Sequence, residues 1–375
     1  MNGLYIHIPF CRSKCHYCDF YSVIQAESIP DFIATLEAEI RLKKDYLSDQ
    51  TIDTLYIGGG TPTLLGADQL ELILERINRW FTLSPATEIT LEANPDDLDK
   101  EYLKSIRSAG FNRISIGVQS FIQTHLSLMN RRHDADQAKN AVELSAQAGF
   151  DRISLDLMYG IPGITLAELE FNLKTAAALP ANHLSAYHLT LEPGTPFHTW
   201  SLGGKLRETD EEESYRQYLL LIGFLRDQDY EQYEISNFAR PGERSRHNSK
   251  YWLGEPYLGL GPSAHSYNGT HRHWNPRNIG EWMRRIREGG EMEGEYLTRS
   301  MKINEHLMTR LRTRGGIKLK EYLIRFGEAE YERMTRVAAR AVSQGDLIQD
   351  TTNLHFTPEA WFRSDSVLVD LFINA

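Results

Sequence analysis

The sequence has little cysteine, no long apolar run and no excess of positive charge. Only three cysteines occur among 375 residues, so a fold held together by disulfides is not expected. No apolar run approaches the roughly 20 residues that a transmembrane helix needs. Acidic residues outnumber basic ones by 51 to 41, which gives a formal net charge of −10. Because phosphate backbones are bound by clustered Lys and Arg, we expect no nucleic-acid partner.

The N-terminal residues also lack the basic and apolar regions of a secretory signal peptide. We therefore expect a cytoplasmic protein in a reducing compartment. The three cysteines, Cys11, Cys15 and Cys18, all fall in one short stretch. Thiols that lie this close together in a reducing compartment indicate a metal site or a redox site.

Strand-like and helix-like segments alternate over the first part of the chain. This alternation predicts an α/β fold with a parallel sheet, either closed as a full or partial barrel or left open. The predicted strands cover residues 4–8, 54–57, 88–93, 113–118, 152–158 and 183–189. The predicted helices lie within residues 32–40, 70–80, 98–109, 136–148, 166–178 and 211–227.

The pattern changes after about Tyr230, and we divide the chain accordingly. Residues 1–230 form the α/β domain, and residues 231–295 form a linking segment rich in Gly, Pro and aromatics, with one helix. Residues 296–375 form a separate, mostly helical domain with short strand-like pieces near 347–348 and 354–356.

The cysteines have the spacing C-x3-C-x2-C, directly after the first predicted strand. Three thiolates on one loop can hold an iron–sulfur cluster. A cubane has four irons, so one iron would lack a protein thiolate and could coordinate a small molecule. Zinc is the alternative, since His7 or His16 could act as a fourth ligand.

The cysteine loop and its flanks, from Tyr5 to Phe20, resemble the radical S-adenosylmethionine (SAM) superfamily. Within it, they resemble the oxygen-independent coproporphyrinogen III oxidase-like (HemN/HemW) family. The resemblance extends over essentially the whole chain and implies a partial (β/α)6 barrel with a C-terminal, mostly helical HemN-type domain. It implies that Cys11, Cys15 and Cys18 bind a [4Fe–4S] cluster, whose fourth iron is chelated by the amino and carboxylate groups of SAM.

Further residues at successive strand ends match the family's SAM site. Glu92 ends a predicted strand, where side chains reach a barrel mouth. Asp156 lies in an otherwise apolar strand and requires a partner. The resemblance implies that Glu92 binds the ribose and that Arg131 pairs with the SAM carboxylate. The residues implied to bind SAM are Tyr5, Tyr17, Gly59, Gly60, Thr61, Glu92, Gln119, Arg131 and Asp156.

Two features distinguish branches of the family. Phe20 occupies a position where decarboxylating members carry a further cysteine, and the first strand begins almost at Met1, where those members have an extension. The string H-N-x-x-Y-W that begins at His247 resembles the heme-binding, heme-chaperone branch. Imidazole commonly ligates heme iron, so His247 is the predicted heme ligand and His265 a second candidate.

The resemblance therefore implies a heme chaperone that carries a [4Fe–4S] cluster and SAM. Its expected partners are heme, heme-recipient apo-proteins, including membrane-bound ones reached by transient association, and a small electron donor such as a flavodoxin or ferredoxin. If the family chemistry operates, the cluster would reduce SAM to release a 5′-deoxyadenosyl radical. One alternative is oxidative decarboxylation of coproporphyrinogen III. Another is a simple iron–sulfur electron carrier, which would need no SAM site.

Overall fold

The computed structural model describes residues 2–290 and 293–373. Met1 and residues 374–375, at the ends of the predicted domains, and residues 291–292, in the predicted linking segment, fall outside these described ranges. Six consecutive strands pair in parallel at the centre of one large sheet. They are β1 (Asn2–Ile8), β2 (Thr51–Gly59), β3 (Thr82–Ala93), β4 (Arg113–Gln119), β5 (Arg152–Tyr159) and β6 (His183–His188).

Helices follow the strands and cover the sheet. They are α1 (Ile29–Lys43), α2 (Ala67–Asn78), α3 (Lys100–Ala109), α4 (Gln123–Leu128), α5 (Ala135–Gln147), α6 (Leu166–Ala178), α7 (Pro196–Leu202) and α8 (Glu211–Asp227).

Alternation along β1 separates the packed face from the concave face of the sheet. Leu4, Ile6 and Ile8 are fully buried in the apolar core, as are Phe32 and Ile40 of α1. Residues between them, such as Tyr5, point to the opposite face because successive side chains of a strand alternate. This face carries the polar side chains described below.

Residues 231–296 add strands to both edges of the sheet. The strand order is β12-β11-β10-β9-β1-β2-β3-β4-β5-β6-β8-β7. Among the described residues the edge strands β7 and β12 do not pair, so the sheet is open, as a partial barrel requires. The added elements are β7 (Glu231–Gln232), β8 (Asn237–Ala239), α9 (Arg246–Leu253), β9 (Tyr257–Leu260), β10 (His265–Tyr267), β11 (His271–Trp274), α10 (Ile279–Glu288) and β12 (Glu293–Tyr296).

The C-terminal part is mostly helical, with a small antiparallel sheet ordered β13-β15-β14. Its elements are α11 (Arg299–Leu311), β13 (Ile317–Lys318), α12 (Leu319–Phe326), α13 (Glu328–Gln344), β14 (Leu347–Gln349), β15 (Asn353–Phe356) and α14 (Ser364–Leu371). Within the described ranges, none of the helices combines the length and the apolar character needed to cross a bilayer.

The predicted α/β class and partial barrel are confirmed. The third strand begins at Thr82, six residues before the predicted start at residue 88. The first helix begins at Ile29, three residues before the predicted range of 32–40. The H-N-x-x-Y-W string that begins at His247 lies on the helix α9.

Candidate cofactor site at the strand ends

The cysteine loop follows β1 and is anchored by backbone hydrogen bonds. The amide of Cys11 donates to the carbonyl of Val23 (3.0 Å), and that of His16 donates to Met129 (3.1 Å). The amide of Phe197 donates to the carbonyl of His16 (3.0 Å). Three separate parts of the chain thus hold a loop that has no regular secondary structure of its own.

Cys11, Cys15 and Cys18 are each partly buried and line one cavity of about 400 Å³. Burial raises the pKa of Cys18 to about 11. In the part of the chain that the structure describes, no three Cys, His, Asp or Glu side chains are grouped to hold a single metal ion. Three thiols that border one cavity fit a cluster, which attaches each thiolate to a different iron.

The two histidines considered as zinc ligands are engaged elsewhere. His7 contacts the Tyr5 hydroxyl through Nδ1 (3.1 Å) and the carbonyl of Tyr21 through Nε2 (3.0 Å). His16 contacts the carbonyl of Leu128 through Nδ1 (2.9 Å). Both imidazoles therefore brace the backbone around the cysteine loop.

The glycines at the end of β2 keep space open beside the cysteines. Gly59 has a φ of +115°, which favours glycine. A Cβ on Gly60 would lie 2.7 Å from the carbonyl oxygen of Phe10 and 3.0 Å from Sγ of Cys11. The adjacent Thr61 places its hydroxyl 3.5 Å from the same sulfur. Only glycine lets the backbone pass this close to the thiols.

Glu92 lies on the concave face near the end of β3. The Tyr56 hydroxyl donates to its Oε1 (2.6 Å) and the Gly59 amide donates to its Oε2 (2.9 Å). Burial raises the pKa of Glu92 although both hydrogen bonds oppose that shift. The carboxylate is thus oriented by two donors next to the glycine turn.

Asp156 lies on the same face, on β5. The Ser115 hydroxyl donates to its Oδ1 (3.2 Å), and Ser115 is paired with Glu92 in the sheet. Burial, followed by the charge of Glu92, raises the pKa of Asp156 to about 7. Two buried carboxylates this close favour a ligand that supplies hydrogen-bond donors or positive charge.

Arg131 and Gln119 carry buried polar atoms that have no hydrogen-bond partner among the described residues. Arg131 donates to Oδ1 of Asn94 (2.7 Å) and the carbonyl of Gly117 (2.6 Å), and its Nη1 lies 3.4 Å from Sγ of Cys15. Its Nε and the Oε1 of Gln119 remain unsatisfied. Gln119 also has a φ of +66°. Because buried polar groups are normally paired, these atoms indicate a polar ligand in the cavity.

The structure brings most of the predicted site together. Every residue predicted for the cluster or for SAM lines this cavity except Tyr5. The Tyr5 ring stacks on Tyr56 at 6.1 Å between centroids and lines an adjoining cavity of about 410 Å³. Glu92 and Gly59 line both cavities, so Tyr5 lies just behind the wall of the first.

Three contributors were missed by the sequence reasoning: Tyr56, Asn94 and Ser115. Tyr56 and Ser115 orient the two carboxylates, and Asn94 bridges Thr61 and Arg131. Their signal lay in strand alternation, which puts each of the two strand residues on the concave face.

His247 is placed in the interior. It is 1% exposed, with Nδ1 2.9 Å from the Thr54 hydroxyl and Nε2 2.8 Å from the Tyr251 hydroxyl. Burial, followed by the charge of Lys250, lowers its pKa to about 3. Ligation of heme iron by His247 stays a prediction, and it would require one of these hydrogen bonds to break. His265, the second candidate, is exposed.

The comparisons with known proteins agree with this geometry. The Radical SAM superfamily model matches residues 5–176, and the HemN C-terminal domain model matches residues 297–363. The protein of known structure titled coproporphyrinogen III oxidase (HemN) from Escherichia coli superposes with a TM-score of 0.86 at 23% identity, covering 99% of this chain and 90% of that one. The fold and site thus define a radical SAM protein with a HemN-type C-terminal domain.

Curated relatives are similar over most of their length. A heme chaperone HemW from Bacillus subtilis is 37% identical over 88% of this chain and 88% of its own length. Another from Lactococcus lactis is 32% identical over 100% of this chain and 98% of its own. The chain belongs to the HemN/HemW family, and the curated relatives that it resembles are named heme chaperone HemW.

Proposed function

We propose that this protein is a heme chaperone that binds heme and transfers it to apo-proteins. The observation that carries the proposal is the similarity, at 32–37% identity over 88–100% of the chain, to proteins named heme chaperone HemW. The likeness to HemN is below 25% identity and supports only the fold.

The residues of the first cavity fit a [4Fe–4S] cluster and SAM. Cys11, Cys15 and Cys18 would hold the cluster, and the unsatisfied Nε of Arg131 and Oε1 of Gln119 supply a donor and an acceptor to a polar ligand. When bound, the cluster supplies a low-potential electron and SAM a sulfonium group that can accept it.

The chain's own residues would position SAM and shield it. Glu92 is preoriented by Tyr56 and Gly59 to accept from ribose hydroxyls, and Asp156 faces the same space. Arg131 is fixed by Asn94 and presents its guanidinium to a carboxylate. Orientation by fixed partners lowers the ordering cost of binding.

We further propose that the protein acts in the cytoplasm and contacts the membrane transiently when a recipient is membrane-bound. Its cluster would be reduced by a small electron donor such as a flavodoxin or ferredoxin.

The test is anaerobic purification, cluster reconstitution and titration with heme, followed by mixing with an apo-cytochrome. We expect heme to shift its Soret band on binding to the protein. We also expect heme to pass from the protein to the apo-cytochrome faster than an equal concentration of free heme binds to it. No Soret change refutes the chaperone proposal, and turnover of coproporphyrinogen III to protoporphyrinogen IX would replace it by the decarboxylase.

A further inference from the structure

A continuous depression runs along the concave side of the sheet beyond β1. The cavity of about 410 Å³ behind Tyr5 adjoins another of about 440 Å³, and both are lined by Ser263, His265 and Arg277. The first of these also shares Phe20 with the cofactor cavity. Each volume is within the range of small-molecule sites.

His265 presents a free imidazole to this depression. Its side chain is exposed, and neither ring nitrogen has a hydrogen-bond partner within residues 2–290 and 293–373, while its ring lies 6.1 Å from that of Trp274. Partial burial, followed by the charge of Arg272, lowers the pKa of His265, which favours the neutral imidazole. Neutral imidazole is the form that binds metal ions.

Arg277 presents a cation to the same depression. It is exposed, and its Nη2 donates to the backbone carbonyl of Asp19 (3.2 Å). It makes no ion pair in the part of the chain that the structure describes. A guanidinium held by one neutral carbonyl keeps donors available for a carboxylate of a ligand.

Phe20 supplies an apolar surface between the two sites. Its side chain is 65% exposed, although it lies beside the buried cofactor cavity. Phe20 lines both the cofactor cavity and the depression, so its ring borders the space that a flat apolar ligand in the depression would occupy. An imidazole, a guanidinium and an exposed aromatic ring thus border one depression.

We propose that heme binds in this depression, with His265 as an axial ligand of its iron, Arg277 opposite a propionate and Phe20 against the porphyrin plane. This inference rests on the proposed heme-chaperone function and names the site of that function. Heme combines the three chemistries: an iron that takes imidazole, carboxylates that take a guanidinium and a flat apolar macrocycle. The site would hold heme next to the wall, formed by Gly59 and Glu92, that the depression shares with the cofactor cavity.

The test is a heme titration of the cluster-loaded wild type and of His265→Ala, with His271→Ala as the control on the neighbouring strand. We expect His265→Ala to lose the Soret shift and the electron paramagnetic resonance signature of nitrogen ligation, while His271→Ala keeps both. Circular dichroism and cluster absorbance check that each variant is folded.

A second pair of titrations tests the orientation. Arg277→Gln should weaken heme binding by about three- to tenfold but leave binding of heme dimethyl ester unchanged, because the ester has no propionate charge. Phe20→Ala should weaken both ligands by about tenfold or more, since the ring contact is apolar.

The outcomes separate the two proposals. A wild type that gives no Soret shift refutes the chaperone function and this site together. A wild type that binds heme, with an unchanged spectrum in folded His265→Ala, overturns the site and leaves the function standing. Equal weakening of heme and its dimethyl ester by Arg277→Gln overturns the assignment of Arg277.

Discussion

A buried carboxylate, Glu39, ties α1 to the segment that carries His265. Its Oε1 accepts from Lys43 Nζ (2.6 Å) and Asn275 Nδ2 (2.6 Å). Its Oε2 accepts from the amide of Gly261 (2.7 Å) and from the Trp282 indole (3.2 Å). Glu39 is 0% exposed and its partners Lys43, Asn275 and Trp282 are also buried, so these donors cannot readily turn to water if the carboxylate is removed.

We predict that Glu39→Ala lowers the free energy of unfolding by about 3–5 kcal/mol, the cost of breaking a buried ion pair and leaving one charge unpaired. The lost acceptors for Gly261 and Trp282 put the value at the upper end of that range. Glu39→Gln, which keeps one acceptor oxygen, should cost less. Lys43→Met added to Glu39→Ala should recover part of the loss by removing the stranded ammonium.

The matched control is Glu37→Ala, two residues earlier on the same helix. Glu37 pairs with Arg76 (2.7 Å) but its side chain is 39% exposed, so its removal should cost under about 1 kcal/mol. The measurement is urea unfolding under anaerobic, reducing conditions, followed by circular dichroism and tryptophan fluorescence, whose transitions must coincide for a two-state treatment. Equal losses in Glu39→Ala and Glu37→Ala would refute the reasoning.

Three further predictions concern the cofactor site and the pH dependence of stability. Cys15→Ser should abolish the visible absorbance of the reconstituted cluster, and an iron content equal to that of the wild type would contradict the three-thiolate site. Gly60→Ala should lower the iron content of the reconstituted protein because its Cβ would press on the carbonyl of Phe10. In the control Gly223→Ala the added Cβ would meet no neighbouring atom within 4 Å, so the iron content should not change. Burial raises the pKa of Glu234 from 4.5 to about 7, so the folded protein retains a proton that the unfolded chain has released, and this group's contribution to stability falls as pH rises through that window. The free energy of unfolding of Glu234→Gln, measured by urea and taken relative to the wild type, should therefore rise by about 3 kcal/mol between about pH 4 and pH 8. A difference between variant and wild type that does not change with pH would contradict the assignment.

Long periodic elements with explicit caps could be predicted from the sequence. The helices α6 and α8 have the predicted bounds, and each starts after a residue whose side chain caps it, Thr165 and Asp210. The strands β9 to β12 could not be predicted because each is three or four residues long, and β9 is held by pairing with β1, which is distant in the sequence. Such strands carry too few residues to show a period of two.

The grouping of the candidate cofactor-site residues could be predicted where it depends on their position along the chain. Residues at the carboxyl ends of parallel strands meet at one edge, which is why Glu92 and Gln119 reach the same cavity. The contacts that orient Glu92 and Asp156 depend on the register between strands. Tyr56 and Ser115 are ordinary strand residues until the register places them beside Glu92.

The two histidines of the heme hypothesis show why a motif and a ligand must be separated. His247 belongs to the H-N-x-x-Y-W string, but its Nε2 contacts the hydroxyl of Tyr251, and the Tyr251 ring lines the cavity that His265 also lines. Tyr251 also packs edge-on against Tyr257, 4.7 Å away, in the same wall. Removing His247 would therefore disturb the wall of the depression that His265 lines, even if His265 binds the iron. A heme-binding defect in a His247 variant does not by itself identify the axial ligand. Removal of a residue that positions the wall and removal of a residue that ligates the iron would both weaken binding. The spectrum of the remaining complex distinguishes the two cases.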